Sequence, residues 1–370
     1  MTLLYTEVEE ELRASVRDLL ADRCGPDAVL RRVESEAPYD MDLWKRLSRE
    51  IGVAGLLVPE EHGGAGASAR EVAVVLEELG RAVAPLPFLT SSVLATKALL
   101  AAGGGDLIGE LASGETTAAL AVSLAASPYR PLPETLTVTD GRTLNGQVRA
   151  VAGADVADVL LVPVGTTLYR VAAADVRVET VPSLDLTRPV STLTFSDVPA
   201  EAAGAFDARE VLGFGAGLLA SEQLGVAEWC LDTTLAYIKE RHQFARPVGS
   251  FQAIKHRMAD LWLDVVRARA AARNAADLLS ADPGTPAEGP AGEKGARDRA
   301  LAAAVAASWC SEVAVHVAEE SVQLHGGIGM TWEHPVHLYL KRAKAAEIAL
   351  GTPGAHREAL ATLADLPAPA

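Results

Sequence analysis

Arg241 stands three residues before Phe244 and eleven before Gln252, in Arg241-His242-Gln243-Phe244-Ala245-Arg246-Pro247-Val248-Gly249-Ser250-Phe251-Gln252. A guanidinium can grip a pyrophosphate through paired hydrogen bonds, and a phenyl ring offers an apolar face to an adenine. An isolated arginine before an aromatic residue serves as readily in a surface ion pair. A second group is Gln323-Leu324-His325-Gly326-Gly327-Ile328-Gly329. A Gly-Gly-x-Gly turn after a helix lets a backbone approach a phosphate closely, although a simple tight turn has the same pattern. His325 and His334 could act as bases, but a histidine beside a Gly-Gly turn or before a proline is more often a hydrogen-bonded structural residue. The run Lys341-Arg342-x-Lys344 reads as a solvated helix face, or as an interface in a tetramer.

The elements that must carry these residues follow from periodicity. From Thr6 to about Leu111 apolar residues recur at three- and four-residue steps, as in Leu12, Val16, Leu19 and Leu20, so residues 1–115 form an all-helical domain. Gly and Pro in Gly52–Gly66 forbid a continuous helix there. Between about 116 and 208 the pattern becomes β: alternation in Thr135–Thr139, a turn at Asp140-Gly141, and short runs at Val159–Val162 and Val190–Phe195 predict a small barrel or sandwich. Helical periodicity returns for 209–370 and is interrupted by Ala281–Gly292, whose Pro and Gly content reads as a loop.

Composition narrows the function classes. With 370 residues, 49% of them hydrophobic, the chain can bury a globular core. Forty-nine acidic against thirty-three basic residues leave a formal charge of −16, which repels nucleic-acid backbones and anionic lipid. Apolar stretches are broken by Gly or charge, so no membrane span is expected. Cys24, Cys230 and Cys310 lack disulfide or zinc spacing, and the N-terminus lacks a basic segment followed by an apolar one. A cytoplasmic location is expected.

Three segments resemble the acyl-CoA dehydrogenase family, and together they span nearly the whole chain. The first is Trp44-x-x-Leu47 with Gly52-x-x-Gly55-Leu56-x-Val58-Pro59-Glu60-x-x-Gly63-Gly64, read as a packing element. The second is the Arg241–Gln252 string, and the third is Gln323–Gly329 with Gly351-Thr352 downstream. The resemblance implies an α+β fold of N-terminal helical domain, middle β domain and C-terminal four-helix bundle. It implies FAD as cofactor, held by Arg241, Phe244, Gln252, Gln323, Gly326, Gly327 and Thr352, with one hydrogen bond from Ser123. It also implies that Arg241, Phe244 and Gln252 reach the FAD of a neighbouring subunit. Ala245 stands where the family usually has glycine.

The reaction implied is α,β-dehydrogenation of an acyl-CoA thioester, in which a glutamate removes a proton while hydride leaves to the flavin. The glutamate's usual place, just before the Gly-Thr pair, is Leu350 here, and the alternative place is Gly215. Glu222 and Glu347 are the nearest substitutes, although ion pairing accounts for them more simply. Three readings follow: a dehydrogenase with a displaced base; a cofactor-completing subunit of an α2β2 assembly with a homologous, base-bearing chain; and a flavin oxidase or N-oxygenase. A homo- or hetero-oligomer, with an electron-transfer flavoprotein as electron acceptor, is expected.

Overall fold

The computed structural model describes residues 3–280 and 289–366, so most of the expected loop Ala281–Gly292 lies outside the described residues; from Gly289 the chain is helical. The first third holds α1 (Glu7–Arg23), α2 (Pro26–Val33), α3 (Met41–Glu50), α4 (Ala69–Arg81), a π-helical stretch Phe88–Ala95 running into α5 (Thr96–Ala101), and α6 (Leu107–Ser113). Reciprocal capping boxes start α1, between Thr6 and Glu9, and α4, between Ser68 and Glu71. The glycine-rich segment after α3 forms two short 3-10 turns, and Trp44 is buried with its indole N–H donating to the Gly114 carbonyl at 3.0 Å.

The β layer comprises β1 (Ala118–Leu120), β2 (Leu136–Thr139), β3 (Thr143–Ala152), β4 (Val159–Val164), β5 (Thr167–Ala172), β6 (Arg177–Val181), β7 (Val190–Pro199) and β8 (Glu201–Ala205). They pair as two four-stranded sheets, β1-β4-β5-β8 and β2-β3-β7-β6, antiparallel except for β1 with β4. Leu144, Leu160, Val162, Leu193 and Phe195 fill a separate core between them. Asp140 and Gly141 both take positive φ, which closes the β2–β3 hairpin tightly. β3 bulges between Val148 and Val151, leaving Ala150 in left-handed backbone.

The last part holds α7 (Ala208–Glu240), a short ribbon of β9 (His242–Gln243) and β10 (Arg246–Pro247), α8 (Gln252–Leu279), α9 (Gly289–His325), a 3-10 turn at Gly326–Met330, α10 (Val336–Ile348) and α11 (Pro353–Leu363). α7 and α9 run in the same direction, since Gly217 abuts Ala303 near their starts and Tyr237 stacks on His325 near their ends. α10 runs back along α7: the Trp229 and Tyr339 rings stack at 3.5 Å, and Gln223 donates to the Ala346 carbonyl at 3.1 Å. It therefore returns the chain from the far end of α7 to its start. α9 contains a stretch long and apolar enough to cross a membrane, contrary to the reading of apolar runs as too broken; 67% of that stretch is buried inside the fold, as in a core helix.

The helical third packs on the bundle through α4 and α7. A Cβ added at Gly225 would overlap the Glu77 carbonyl, and one at Gly80 would overlap the Glu222 carbonyl. The two backbones touch directly, which only glycine permits.

Candidate functional site

The start of α7 and the end of α10 build one small apolar chamber. Leu350 is fully buried in left-handed backbone, φ +54, and its N–H donates to the Leu124 carbonyl at 2.7 Å. A Cβ placed on Gly215 would lie 3.1 Å from the Leu350 Cδ1 and would collide with the Leu94 side chain. The two positions where the resemblance expects a base thus converge on a single point, and leucines occupy it. The remaining cavity is about 10 Å3, lined by Thr90, Leu94, Leu120, Val122, Leu124, Ala152 and Leu350. That is room for about one water molecule. The lining contains no ionisable side chain, and the Thr90 hydroxyl donates to the Pro87 carbonyl at 3.0 Å.

Below this chamber His356 is buried, and its Nδ1 accepts from the Tyr129 hydroxyl at 2.9 Å. Burial pushes the His356 pKa down to about 4, with the nearby Gly351 and Leu350 backbone opposing weakly. An acceptor Nδ1 leaves Nε2 protonated, and this N–H faces the Leu350-Gly351 backbone, where Gly351 has φ +107. Thr352 caps α11, its exposed hydroxyl accepting from the Ala355 N–H at 3.3 Å. Ser123, whose hydroxyl accepts from the Ala125 N–H at 3.3 Å, flanks the same point because Leu124 bonds both Leu350 and Ala150.

The two substitute carboxylates do not reach the chamber. Glu222 is buried between guanidiniums: it accepts from Arg188 and, at 3.0 Å, from Arg342. Arg342 also pairs with Asp185 at 2.6 Å and donates to the Thr187 hydroxyl at 3.1 Å. Burial alone raises the Glu222 pKa, but the two arginines outweigh it and hold the carboxyl below its usual range. A base needs the opposite environment. Glu347 is half-buried on the outer face of α10 beside Lys344, 3.7 Å away. Arg342 corrects the reading of Lys341-Arg342-x-Lys344 as a solvated face: it is 1% exposed, and it joins the β layer to α7 and α10.

The other six cofactor residues lie at the opposite end of α7. Arg241 ends that helix, and its guanidinium makes no ion pair among the described residues. The ribbon that follows turns through Phe244 and Ala245, with φ +53 and +59. Glycine suits such a turn, so Ala245 sits in a strained seat where the family usually has Gly. Phe244 projects with 87% of its surface exposed, edge-on to Phe251 at 6.2 Å, and Gln252 opens α8 beside them. Gln323 is exposed on the last turn of α9; Gly326 takes φ +64, and a Cβ added at Gly326 or Gly327 would meet nothing within 4 Å. An unpaired guanidinium, an exposed ring, two amides and an open glycine backbone suit a pyrophosphate and an adenine.

Tyr237 and His325, with ring centroids 4.5 Å apart, and Thr234 and Ser321, with hydroxyls 2.7 Å apart, hold these pieces together. Between Gly215 and Arg241 the helix rises about 39 Å at 1.5 Å per residue. The candidate cofactor residues therefore fall into two groups: Ser123 and Thr352 beside the chamber, and Arg241 with the Gly326-Gly327 turn at the far end of α7. Among the described residues no cluster of His, Cys, Asp or Glu is placed to hold a metal ion. The chamber-lining Leu94 and Thr90 escaped sequence reading because every position of Phe88–Ala95 is buried, Thr90, Ser91 and Ser92 included, so no polar face alternates with an apolar one.

The acyl-CoA dehydrogenase N-terminal domain matches residues 6–107, and the acyl-CoA dehydrogenase C-terminal domain matches residues 203–363. The chain is 37% identical over 348 residues to acyl-CoA dehydrogenase IpdE2 of Mycolicibacterium smegmatis, covering 94% of this chain and 96% of that protein. It superposes with a TM-score of 0.85 and 30% identity on a chain of the ChsE4-ChsE5 complex from Mycobacterium tuberculosis, both covered completely. The Tcur3481-Tcur3483 steroid ACAD gives a TM-score of 0.81 at 28% identity, covering 97% of this chain and 98% of that one.

Proposed function

We propose, from the premise that this chain belongs to the acyl-CoA dehydrogenase family of FAD-dependent oxidoreductases, that it is the base-less subunit of a heteromeric acyl-CoA dehydrogenase. Its partner is a homologous chain that carries the glutamate. The observation that carries this reading is the chamber at Leu350, Gly215 and Leu94, which holds apolar side chains where proton abstraction needs a carboxylate.

In this reading the chain contributes at the far end of α7. Arg241 would hold pyrophosphate oxygens, Phe244 would offer its face to an adenine, and Gln252, Gln323 and the Gly326-Gly327 backbone would complete the grip on a flavin shared with the partner. When bound, FAD would supply the hydride acceptor, and an electron-transfer flavoprotein is the expected electron acceptor. The heteromeric ChsE4-ChsE5 complex supports pairing of unlike chains, and the steroid ACAD supports a bulky, ring-bearing acyl-CoA as the substrate class. A cytoplasmic location fits the charge and the three buried free cysteines.

The test is expression of the chain alone and together with a base-bearing homologue, followed by a flavin spectrum and acyl-CoA-dependent dye reduction. Colourless, inactive protein alone, and yellow, active protein from co-expression, is the expected result. A yellow protein that turns over alone, and loses turnover on Glu222→Gln or Glu347→Gln, would overturn it. Rapid peroxide formation by the lone chain would point instead to an oxidase.

A further inference from the structure

We infer that His325 is a positioning residue that locks the arginine-bearing ribbon and the glycine turn into one flavin grip. The inference rests on the proposed role of Arg241 and Gly326-Gly327 and adds the part that holds them in register. The two gripping elements come from different helices, α7 and α9, separated by more than eighty residues of chain. Nothing in the local sequence fixes their spacing, so a side-chain contact between the helix ends must.

His325 makes such a contact next to the glycine turn, one helical turn beyond the Thr234–Ser321 hydroxyl pair. It is 2% exposed and lies directly before Gly326. One face of its ring stacks on Tyr237, four residues before Arg241, with centroids 4.5 Å apart and planes 26° apart. The His334 ring lies against it at 4.3 Å, on the chain leaving the glycine turn. The Nδ1–H donates to the Ser321 carbonyl at 2.7 Å, which folds the ring back along α9 and sets its orientation. Nε2 is therefore the unprotonated nitrogen, and it is buried with no hydrogen-bond partner among the described residues. Beyond the Nδ1 bond the ring supplies its faces, to Tyr237 and to His334. Burial lowers the His325 pKa, which keeps the ring neutral against His334.

The test uses the chain assembled with its base-bearing partner and reads the FAD dissociation constant, kcat at saturating FAD and Tm for Arg241→Ala, His325→Ala, His325→Phe and the Arg241→Ala/His325→Ala double variant. His325→Ala should weaken FAD binding about tenfold while kcat at saturating FAD stays within about twofold. His325→Phe, which keeps both stacked faces, should return the affinity to within about threefold of the parent. The double variant should lose clearly less than the product of the two single losses, because a displaced Arg241 has little left to contribute. Additive losses, no rescue by Phe, or unchanged affinity in His325→Ala while Arg241→Ala binds weakly would each overturn the positioning role. If Arg241→Ala leaves FAD affinity unchanged, the flavin grip itself is misassigned and the inference falls with it. A fall in Tm and kcat together, with FAD affinity intact, would reduce His325 to a general packing residue and overturn the inference.

Discussion

Replacing Glu222 by Gln would keep its volume between Arg188 and Arg342 and remove its charge, leaving Arg188 without a carboxylate and Arg342 with Asp185 alone. Breaking a buried pair of this kind costs about 3–5 kcal/mol. Denaturant unfolding of E222Q should show a loss of that size, while the pH profile of kcat in the assembled enzyme should not move, because the carboxylate is structural. His356 gives a second residue-scale outcome. Its pKa falls from 6.5 to about 4 on folding, so between those values the unfolded chain binds more protons than the folded one. Its contribution is complete above pH 6.5 and is lost as the pH falls towards 4, on the order of 1–3 kcal/mol. Unfolding free energies across that window should slope less in H356Q. Sequence showed that Leu350 and Gly215 carry no base, because that needs only residue identity. It did not show that Arg342 is buried, because three basic residues on a short helix look alike until the helix has a neighbour.

At the scale of elements, the α4–α7 crossing depends on Gly80 and Gly225 facing carbonyl oxygens of the opposite helix. Gly225→Ala must push the helices apart, and overpacking of this kind costs about 1–3 kcal/mol or more. Thermal unfolding of G225A should therefore occur several degrees lower, although alanine has the better helix propensity. The helix α1 was legible from the periodicity of Leu12, Val16, Leu19 and Leu20, as was the β2–β3 hairpin from Asp140-Gly141. β1 and β8 were not: Ala118–Leu120 and Glu201–Ala205 are short, rich in Ala and Gly, and join the sheet by edge pairing that leaves no alternation to read. The π-helical stretch Phe88–Ala95 was hidden for a different reason, since every side chain in it is buried.

At the scale of the molecule, exposed apolar residues collect on the C-terminal helices and their connections: Phe244, Met330 at 82% exposure, Trp262 at 56% and Trp332 at 54%. In the proposed assembly these side chains would be covered by the partner chain. Acrylamide should quench tryptophan fluorescence more in the lone chain than after assembly, with Trp262→Phe and Trp332→Phe each removing part of the difference. The resemblance named both groups of cofactor residues without giving their separation, because distance along α7 appears only once the helix is known to be unbroken from Ala208 to Glu240.

The closed leucine chamber also bears on how the assembled enzyme would meet a tight-binding mimic of its acyl thioester. Leu94 and Leu350 leave no space for a guest in this chain, so such a compound would saturate at one molecule for every two polypeptides. Resistance to it could then arise only through changes in the other gene product or at the seam between the two.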